Sequence, residues 1–542
     1  MNVDQSVTVR RTVLVFKQKL PQLIIVLFSV LLALGMYYHE MWRDELDIYG
    51  RIGLNGYVKY SEHDYSYLVY NLLMKAFLWV NGSQMMYQFY HYVIIVAAIF
   101  LLNKYSPFSL FEKFFLTFSY FLFFEYGILS RYYGFLILML FLIMYLLSRK
   151  RVNYYLIIIP LIVLANHSIN SFIIILPLFV FIVNKLIEKF KKNTLTKSLL
   201  ISYVGVFLFF IFMGVIYVVF TYGQKSRWDG VANAPFFMTI RTIWNSFIPL
   251  PEFTSGASFW NTNYFSFPDI YPMNYDVSNY LTTQNIVLSI SSIFIFIIIL
   301  IKFSNKPVVF WIFFGNCILL LLFLHTAKFY YIRHQGLLFI VFIYCYWLYH
   351  IADEGIHIPI LNKIKLDRLQ KLKIGIIFKP MISLFLIMQF VSSCYAFYKD
   401  VKYKFTLSHE TAKFIKTNKL ETDHEFVGFI DFAAQTIAIN LKKKTYFPQS
   451  NSIDYVWNPF DKNYKQNISI SEVLDACINY SEIQKTKVIL ILNFPLMDNH
   501  QTELSNAMLT ENSSIALLKS FTGDIIQTDE QFWLYEVRKI EN

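Results

Sequence analysis

Residues 20–47 read LPQLIIVLFSVLLALGMYYHEMWRDELD. The run from Leu20 to Tyr38 is apolar and carries no charged side chain. As a helix rising about 1.5 Å per residue it covers the roughly 30 Å hydrocarbon core of a bilayer. The character then reverses within a few residues: Glu40, Asp44, Glu45 and Asp47 follow in quick succession. Carboxylates are costly beside a bilayer, so an acidic stretch at the end of a membrane helix calls for a reason.

The same pattern of long apolar runs recurs along the 542-residue chain, which is 56% hydrophobic and 19% aromatic. Its mean hydropathy is +0.45. Only 15% of residues are charged, against roughly 25% in soluble globular chains. Runs this long lack the alternation of barrel strands, so the expected fold is a polytopic α-helical membrane protein. About eleven transmembrane helices are expected, near 20–38, 86–103, 108–124, 131–148, 152–166, 170–186, 199–222, 283–302, 307–325, 334–350 and 374–397. Arg10, Arg11, Lys17 and Lys19 precede the first run and no small-residue cleavage site follows it, so it reads as an uncleaved helix.

The net charge of +12 is a matter of topology. With the N-terminus inside, Lys104, Arg149 to Arg151, Lys185 to Lys197, Lys302 with Lys306, and the run from Lys363 to Lys373 all fall on one side. That is the positive-inside pattern, and it argues against a nucleic-acid partner. The four cysteines form neither a disulfide framework nor a metal cluster by spacing.

The organisation divides at about residue 398. Residues 1–398 read as the transmembrane domain, with segments 39–85 and 223–282 forming its outer active-site face. In the first of these, Arg43, Asp47 and Arg51 stand i, i+4 apart and can pair along one helix face. The stretch Tyr65 to Val80 is amphipathic and suits an interfacial helix. Segment 223–282 is rich in aromatics, Pro and Asn and reads as a lid. From 399 to 542 charge rises and apolar runs shorten. His409–Lys416 and Asp431–Leu441 read as helices, and Val488–Leu492 and Phe532–Tyr535 as buried strands, of a soluble outer α/β domain.

Four polar groups fall on the same predicted outer face: Asp44 with Glu45; Glu125 with Arg131, Tyr132 and Tyr133; Asn166 with His167; and Lys328 with Arg333 and His334. Each has a bland alternative, as a helix cap, a turn ion pair, a hydrogen-bonded helix end or a snorkelling cation. Together they supply carboxylates and cations around one site. That suits group transfer from an anionic lipid, with a carboxylate taking a proton and cations holding a leaving phosphate.

At these residues the chain resembles a family. Trp42-Arg43-Asp44-Glu45 looks like the acidic first-outer-loop motif of the GT-C membrane glycosyltransferases. It is most similar to the bacterial branch of protein O-mannosyltransferase-like, aminoarabinose transferase and lipopolysaccharide-sugar transferase enzymes. Glu125 to Tyr133, EYGILSRYY, is similar to the second motif, a Glu followed by an Arg-aromatic pair. Arg333-His334-Gln335-Gly336 takes the place of the late Arg motif, departing from it in that His334 follows the Arg. The resemblance covers about residues 20–400.

The resemblance implies a GT-C-like fold in the inner membrane, the N-terminus cytoplasmic and the C-terminal domain periplasmic. It implies a glycosyltransferase that moves a sugar, with inversion, from a polyprenyl-phosphate donor to a lipid, glycan or protein acceptor. Asp44 would be the base, with Glu45 orienting it or the acceptor and Glu125 a second acid. Arg131, Lys328, Arg333 and His334 would bind the donor phosphate, and Tyr132, Tyr133 and His167 would line the substrate pocket. Asp44 and Glu125 would be the ligands if a divalent ion, Mg or Mn, takes part. The competing reading is a transporter or flippase for lipid-linked sugars. It uses the same cations without a base, and it predicts discontinuous helices and repeat symmetry that the sequence does not display.

Overall fold

A computed structural model describes residues 3–57, 67–193, 196–223, 236–265, 282–327, 331–352, 375–458, 464–465, 467–497, 503–504, 506–510 and 513–539. Lys328, the basic run from Lys363 to Lys373, and parts of segments 39–85 and 223–282 therefore lie outside the described residues.

The chain is a polytopic helical membrane protein carrying a C-terminal sheet. Eight helices among the described residues are long and apolar enough to cross a membrane: Lys19–Tyr38, Gln84–Tyr105, Ile169–Lys191, Lys197–Tyr217, Thr283–Phe303, Pro307–Ala327, Ile332–Ile351 and Ile376–Lys402. The remaining three expected spans are shorter. Tyr133–Leu147 and Tyr154–His167 are apolar helices of 15 and 14 residues. The run 108–124 divides into an α-helix, Leu110–Thr117, and a π-helix, Tyr120–Ile128.

Local chemistry sets these boundaries. Ser83, Ser168 and Thr282 cap the helices that follow them, each accepting a hydrogen bond from a backbone N–H three residues on. At Ser109 the cap is reciprocal, because Glu112 reaches back to the Ser109 N–H at 2.7 Å. Helix Ile332–Ile351 is the centre of the bundle, with nearly every side chain from Ile332 to Leu348 buried. It approaches π-helix Tyr120–Ile128 at Gly336, where a Cβ would overlap the Phe121 ring and the Tyr126 hydroxyl. Helix Phe236–Phe247, within the expected lid, packs on Thr283–Phe303 and Ile332–Ile351 and buries Met238, Arg241 and Phe247.

Segment 39–85 begins with a short helix, Arg43–Tyr49, that runs into a π-helix, Gly50–Leu54. Glu45 starts it by accepting the Trp42 N–H at 3.3 Å. Of the expected i, i+4 pairs, Asp47 and Arg51 meet at 3.0 Å, whereas Arg43 turns to the C-terminal domain. Helix Leu68–Val80 follows, burying Tyr70, Asn71, Met74 and Leu78 and exposing Leu72, Leu73, Trp79 and Val80.

The last long helix runs to Lys402, so the expected boundary at 398 falls inside it. Beyond it the described residues form one seven-stranded sheet: β1 His424–Phe429, β2 Thr445–Phe447, β3 Ser452–Asp454, β4 Lys487–Leu492, β5 Asn506–Thr510, β6 Ser513–Phe521 and β7 Phe532–Lys539. Their spatial order is β3-β2-β1-β4-β7-β6-β5. β1 runs parallel to both β2 and β4, and the other pairings are antiparallel. The run Val488 to Leu492 is buried on both faces, as an unbroken apolar strand at the middle of a sheet must be. Helices Ser408–Thr417, Asp431–Leu441 and Ile470–Gln484 cover the sheet. β7 starts where β4 ends, with Leu492 opposite Trp533. Asp529 and Glu530 therefore stand at the carboxyl end of the parallel strands, the edge where α/β sheets usually place a ligand.

Candidate active site

Helix Arg43–Tyr49 separates two adjacent carboxylates by about 100° of helical turn, and they meet different surroundings. Glu45 faces inward and is completely buried. Its Oε2 lies 2.8 Å from His39 Nε2, and its Oε1 accepts the Ser130 N–H. The other ring nitrogen of His39 lies 3.1 Å from Asp400 Oδ1, on the last long helix. With a carboxylate at each nitrogen the imidazole serves as donor on both sides, so the three side chains form one buried clamp. Glu45 thus has its oxygens committed to His39, Trp42 and Ser130.

Asp44 faces outward, with about a third of its side chain exposed. Its Oδ2 pairs with Arg131 Nη2 and lies 3.5 Å from Arg333 Nη2. Arg131 Nη1 stands 4.0 Å from Glu125 Oε1. Glu125 is buried on the π-helix, where its Oε2 accepts from Trp260 Nε1 at 2.9 Å and from the Tyr120 hydroxyl at 3.2 Å. Such wide-turn helices recur at functional sites because they re-aim side chains out of the regular ladder.

Trp42 is the floor of this cluster. Three guanidinium carbons lie near its ring, those of Arg131 at 4.7 Å, Arg43 at 5.5 Å and Arg333 at 5.7 Å. The Trp260 ring stands edge-on to it at 4.7 Å. Arg333 is fixed further by its carbonyl, which accepts the Tyr126 hydroxyl at 2.5 Å.

The structure thus brings Asp44, Glu125, Arg131 and Arg333 together. Tyr133 and His334 form a neighbouring pair, the hydroxyl 3.2 Å from Nδ1. Tyr132 turns the other way and lines a small pocket with Ile48, Arg51, Tyr67 and Asn71. His167 lies under that pocket, its ring 5.2 Å from Tyr67 and its Nδ1 2.8 Å from Ser171 Oγ. Lys328 lies outside the described residues. The two carboxylates offered as metal ligands, Asp44 and Glu125, both face Arg131. Among the described residues no three His, Cys, Asp or Glu side chains converge on a point where a metal ion would sit.

Sequence reasoning missed Trp260, Tyr120, His39 and Asp400. His39 sits inside the decisive stretch and was readable as a partner for a nearby carboxylate. Trp260 and Asp400 carry no local signal, since their roles depend on residues 135 and 361 positions away.

The C-terminal domain is the wall behind this site. Arg43 forms an ion pair with Asp529, its N–H donates to Glu530 Oε1 at 3.1 Å, and its guanidinium lies over the Phe432 ring at 4.8 Å. Burial works against the Arg43 charge, but Asp529 and Glu530 hold it more basic than usual. Burial pushes Glu530 up to about 7, with Arg43 opposing. Further along, Arg51 donates to the Trp457 carbonyl at 2.8 Å and Gln84 to Asn440 at 2.9 Å. Gly50 fits against Ile439 and Val456, where a Cβ would come within 2.8 Å of both side chains.

Fold and site together define a polytopic helical membrane protein with an Asp–Arg–Arg cluster at the end of its first helix, backed by an α/β domain. Neither a family model nor a curated protein matches the chain.

Proposed function

We propose that the protein is a GT-C-type membrane glycosyltransferase that moves a sugar from a polyprenyl-phosphate donor to a lipid, glycan or protein acceptor. The observation that carries this reading is the meeting of Asp44 with Arg131 and Arg333 over Trp42, drawn from three distant segments. Arg131 Nη1 and Arg333 Nη1 are buried and make no hydrogen bond among the described residues. Arg131 Nη1 has Glu125 Oε1 only at 4.0 Å, so both guanidiniums keep hydrogen-bonding capacity for an anion, and two planar forks suit the oxygens of a phosphate.

In this reading Asp44 takes the proton from the acceptor hydroxyl. The acceptor oxygen forms a bond to the anomeric carbon from the face opposite the phosphate. The bond from that carbon to the phosphate oxygen breaks, and its electron pair leaves with the polyprenyl phosphate. Arg131 and Arg333 offset the charge that develops there. Glu125, fixed by Trp260 and Tyr120, sets the position of Arg131. The pocket beside Tyr132 receives part of a substrate. Eleven membrane crossings, a cytoplasmic N-terminus and an outer C-terminal domain belong to the same reading.

The test uses full-length protein in nanodiscs with radiolabelled polyprenyl-phosphate sugars and a crude envelope extract, beside Asp44→Asn. Label transfer by the wild type, lowered roughly a hundred- to ten-thousandfold in the variant, is the expected result. Parallel reactions with a chelator and with added Mg or Mn decide whether Asp44 and Glu125 take a metal. Donor binding without transfer, unaffected by the substitution, would instead favour the carrier reading.

A further inference from the structure

Arg131 and Arg333 reach Asp44 through the same oxygen, Oδ2. One oxygen shared by two guanidiniums leaves donors over: Arg333 Nη1 is buried and makes no hydrogen bond among the described residues, and Arg131 Nη1 has Glu125 Oε1 only at 4.0 Å. The cations do not depend on Asp44 for their positions. Both lie near the buried Trp42 ring, and Arg333 also lies 4.0 Å from the ring centre of Tyr331. Their side chains are 4% and 13% exposed, against 34% for Asp44. Asp44 is held by much less. It stands in the first turn of a seven-residue helix, and the described residues give its carboxylate no partner other than the two guanidiniums. The guanidiniums are the more deeply packed part of the cluster and the carboxylate is the more exposed part.

Resting on the reading that this is a transfer site, we propose that Asp44 is a built-in substitute for the donor phosphate. An incoming lipid phosphate displaces its carboxylate from Arg131 and Arg333, and the base is released only when the donor is seated. A phosphodiester carries the same single negative charge as a carboxylate, so it can take the carboxylate's place between the two guanidiniums, and its added charge offsets the one positive charge the cluster has in excess. It also brings a second non-bridging oxygen, within the capacity of Arg333 Nη1, which makes no hydrogen bond among the described residues. Before the exchange Oδ2 is taken up by the cations. Afterwards it is free to accept the acceptor's proton.

This makes an unusual prediction, that removing a charged site residue strengthens phosphate binding. Undecaprenyl phosphate, undecaprenol and inorganic phosphate are each titrated against full-length protein in nanodiscs, as wild type, Asp44→Asn, Asp44→Ala and Asp44→Glu. The expected result is undecaprenyl phosphate binding about tenfold tighter to the Asn and Ala variants, a difference of one decade in Kd. Asp44→Glu stays near wild type, and undecaprenol is unaffected. A matching gain for inorganic phosphate supports displacement by the phosphate alone, and a gain confined to the lipid supports displacement by the lipid headgroup. Equal or weaker binding of both phosphates to the Asn and Ala variants overturns the proposal. Tighter binding by the variants with no transfer by the wild type on any sugar donor upholds the displaced carboxylate and sinks the glycosyltransferase reading instead. Having two neutral variants keeps the test open if one of them fails to fold.

Discussion

Arg43 and Asp529, 486 positions apart in the chain, form an ion pair that joins the helix after the first span to the carboxyl end of the C-terminal sheet. Arg43 lies between the acidic residues of one domain and Trp42 of the other, so the pair ties the C-terminal domain to the turn that carries Asp44.

Loss of this tie loosens the turn. The Asp529 side chain is 42% exposed, so Asp529→Asn costs about 0.5–1 kcal/mol of docking. Arg43→Ala costs more, about 2–3 kcal/mol, because it leaves buried Glu530 without its cation and strips the contact with Phe432. Faster backbone hydrogen exchange in residues 43–54, in that order of severity, is the expected outcome. Unchanged exchange in Arg43→Ala would mean that the ion pair does not hold the turn.

Docking also depends on pH through Glu530. Its docked pKa, raised by burial from 4.5 to about 7, means that the docked state binds the proton more tightly. Between about 4.5 and 7 the undocked form has lost its proton while the docked form keeps it, so docking weakens as pH rises through that window and levels off above it. The groups facing Glu530 are Arg43, Asp529 and Thr406. Exchange of residues 43–54, corrected for its intrinsic pH dependence, rises from pH 5 to 7 in the wild type, and Glu530→Gln flattens the slope.

The clamp of His39 between Glu45 and Asp400 governs folding. Replacing His39 with Ala leaves two buried carboxylates without their shared donor, at a cost of about 3–5 kcal/mol. A much lower yield of monodisperse protein and a lower melting temperature in detergent are expected. Glu45→Gln behaves similarly, and the loss is smaller for Asp44→Asn, whose carboxylate is a third exposed.

Gly336 is a contact point with no room to spare. In Gly336→Ala the new methyl overlaps Phe121 and the Tyr126 hydroxyl, costing about 1–3 kcal/mol. Because Tyr126 holds the Arg333 carbonyl, phosphate binding weakens along with melting temperature. Full binding at lowered melting would separate Gly336 from the placement of Arg333.

Much of the architecture was legible without coordinates, because burial in a bilayer imposes a strong local rule: about twenty apolar residues in a row, bounded by charge. Leu20 to Tyr38 obeys that rule, as do the seven other long helices. Val488 to Leu492 obeys the corresponding rule for a central strand. Where the rule weakens, so does the reading. Residues 108–124 have the composition of a span but break into an α-helix and a π-helix, the second capped by Ser119, whose hydroxyl accepts the Leu122 N–H.

Residues 40–47 mark the boundary between the two kinds of knowledge. Composition and position placed the acidic cluster at a membrane helix end, and with the family resemblance they singled out Asp44, Glu125, Arg131 and Arg333 among a wider set that also held Glu45, Tyr132, Tyr133, His167, Lys328 and His334. The division of labour between Asp44 and Glu45 was decided by the tertiary structure. The two residues are chemically near-identical neighbours, and one turns to His39 and Ser130 while the other turns to Arg131 and Arg333. The role of the C-terminal domain was decided there too, through Asp529 and Glu530. An apolar run carries its own instruction, because the bilayer reads it residue by residue. A carboxylate's role depends on which cation reaches it, and here those cations arrive from segments tens to hundreds of residues away.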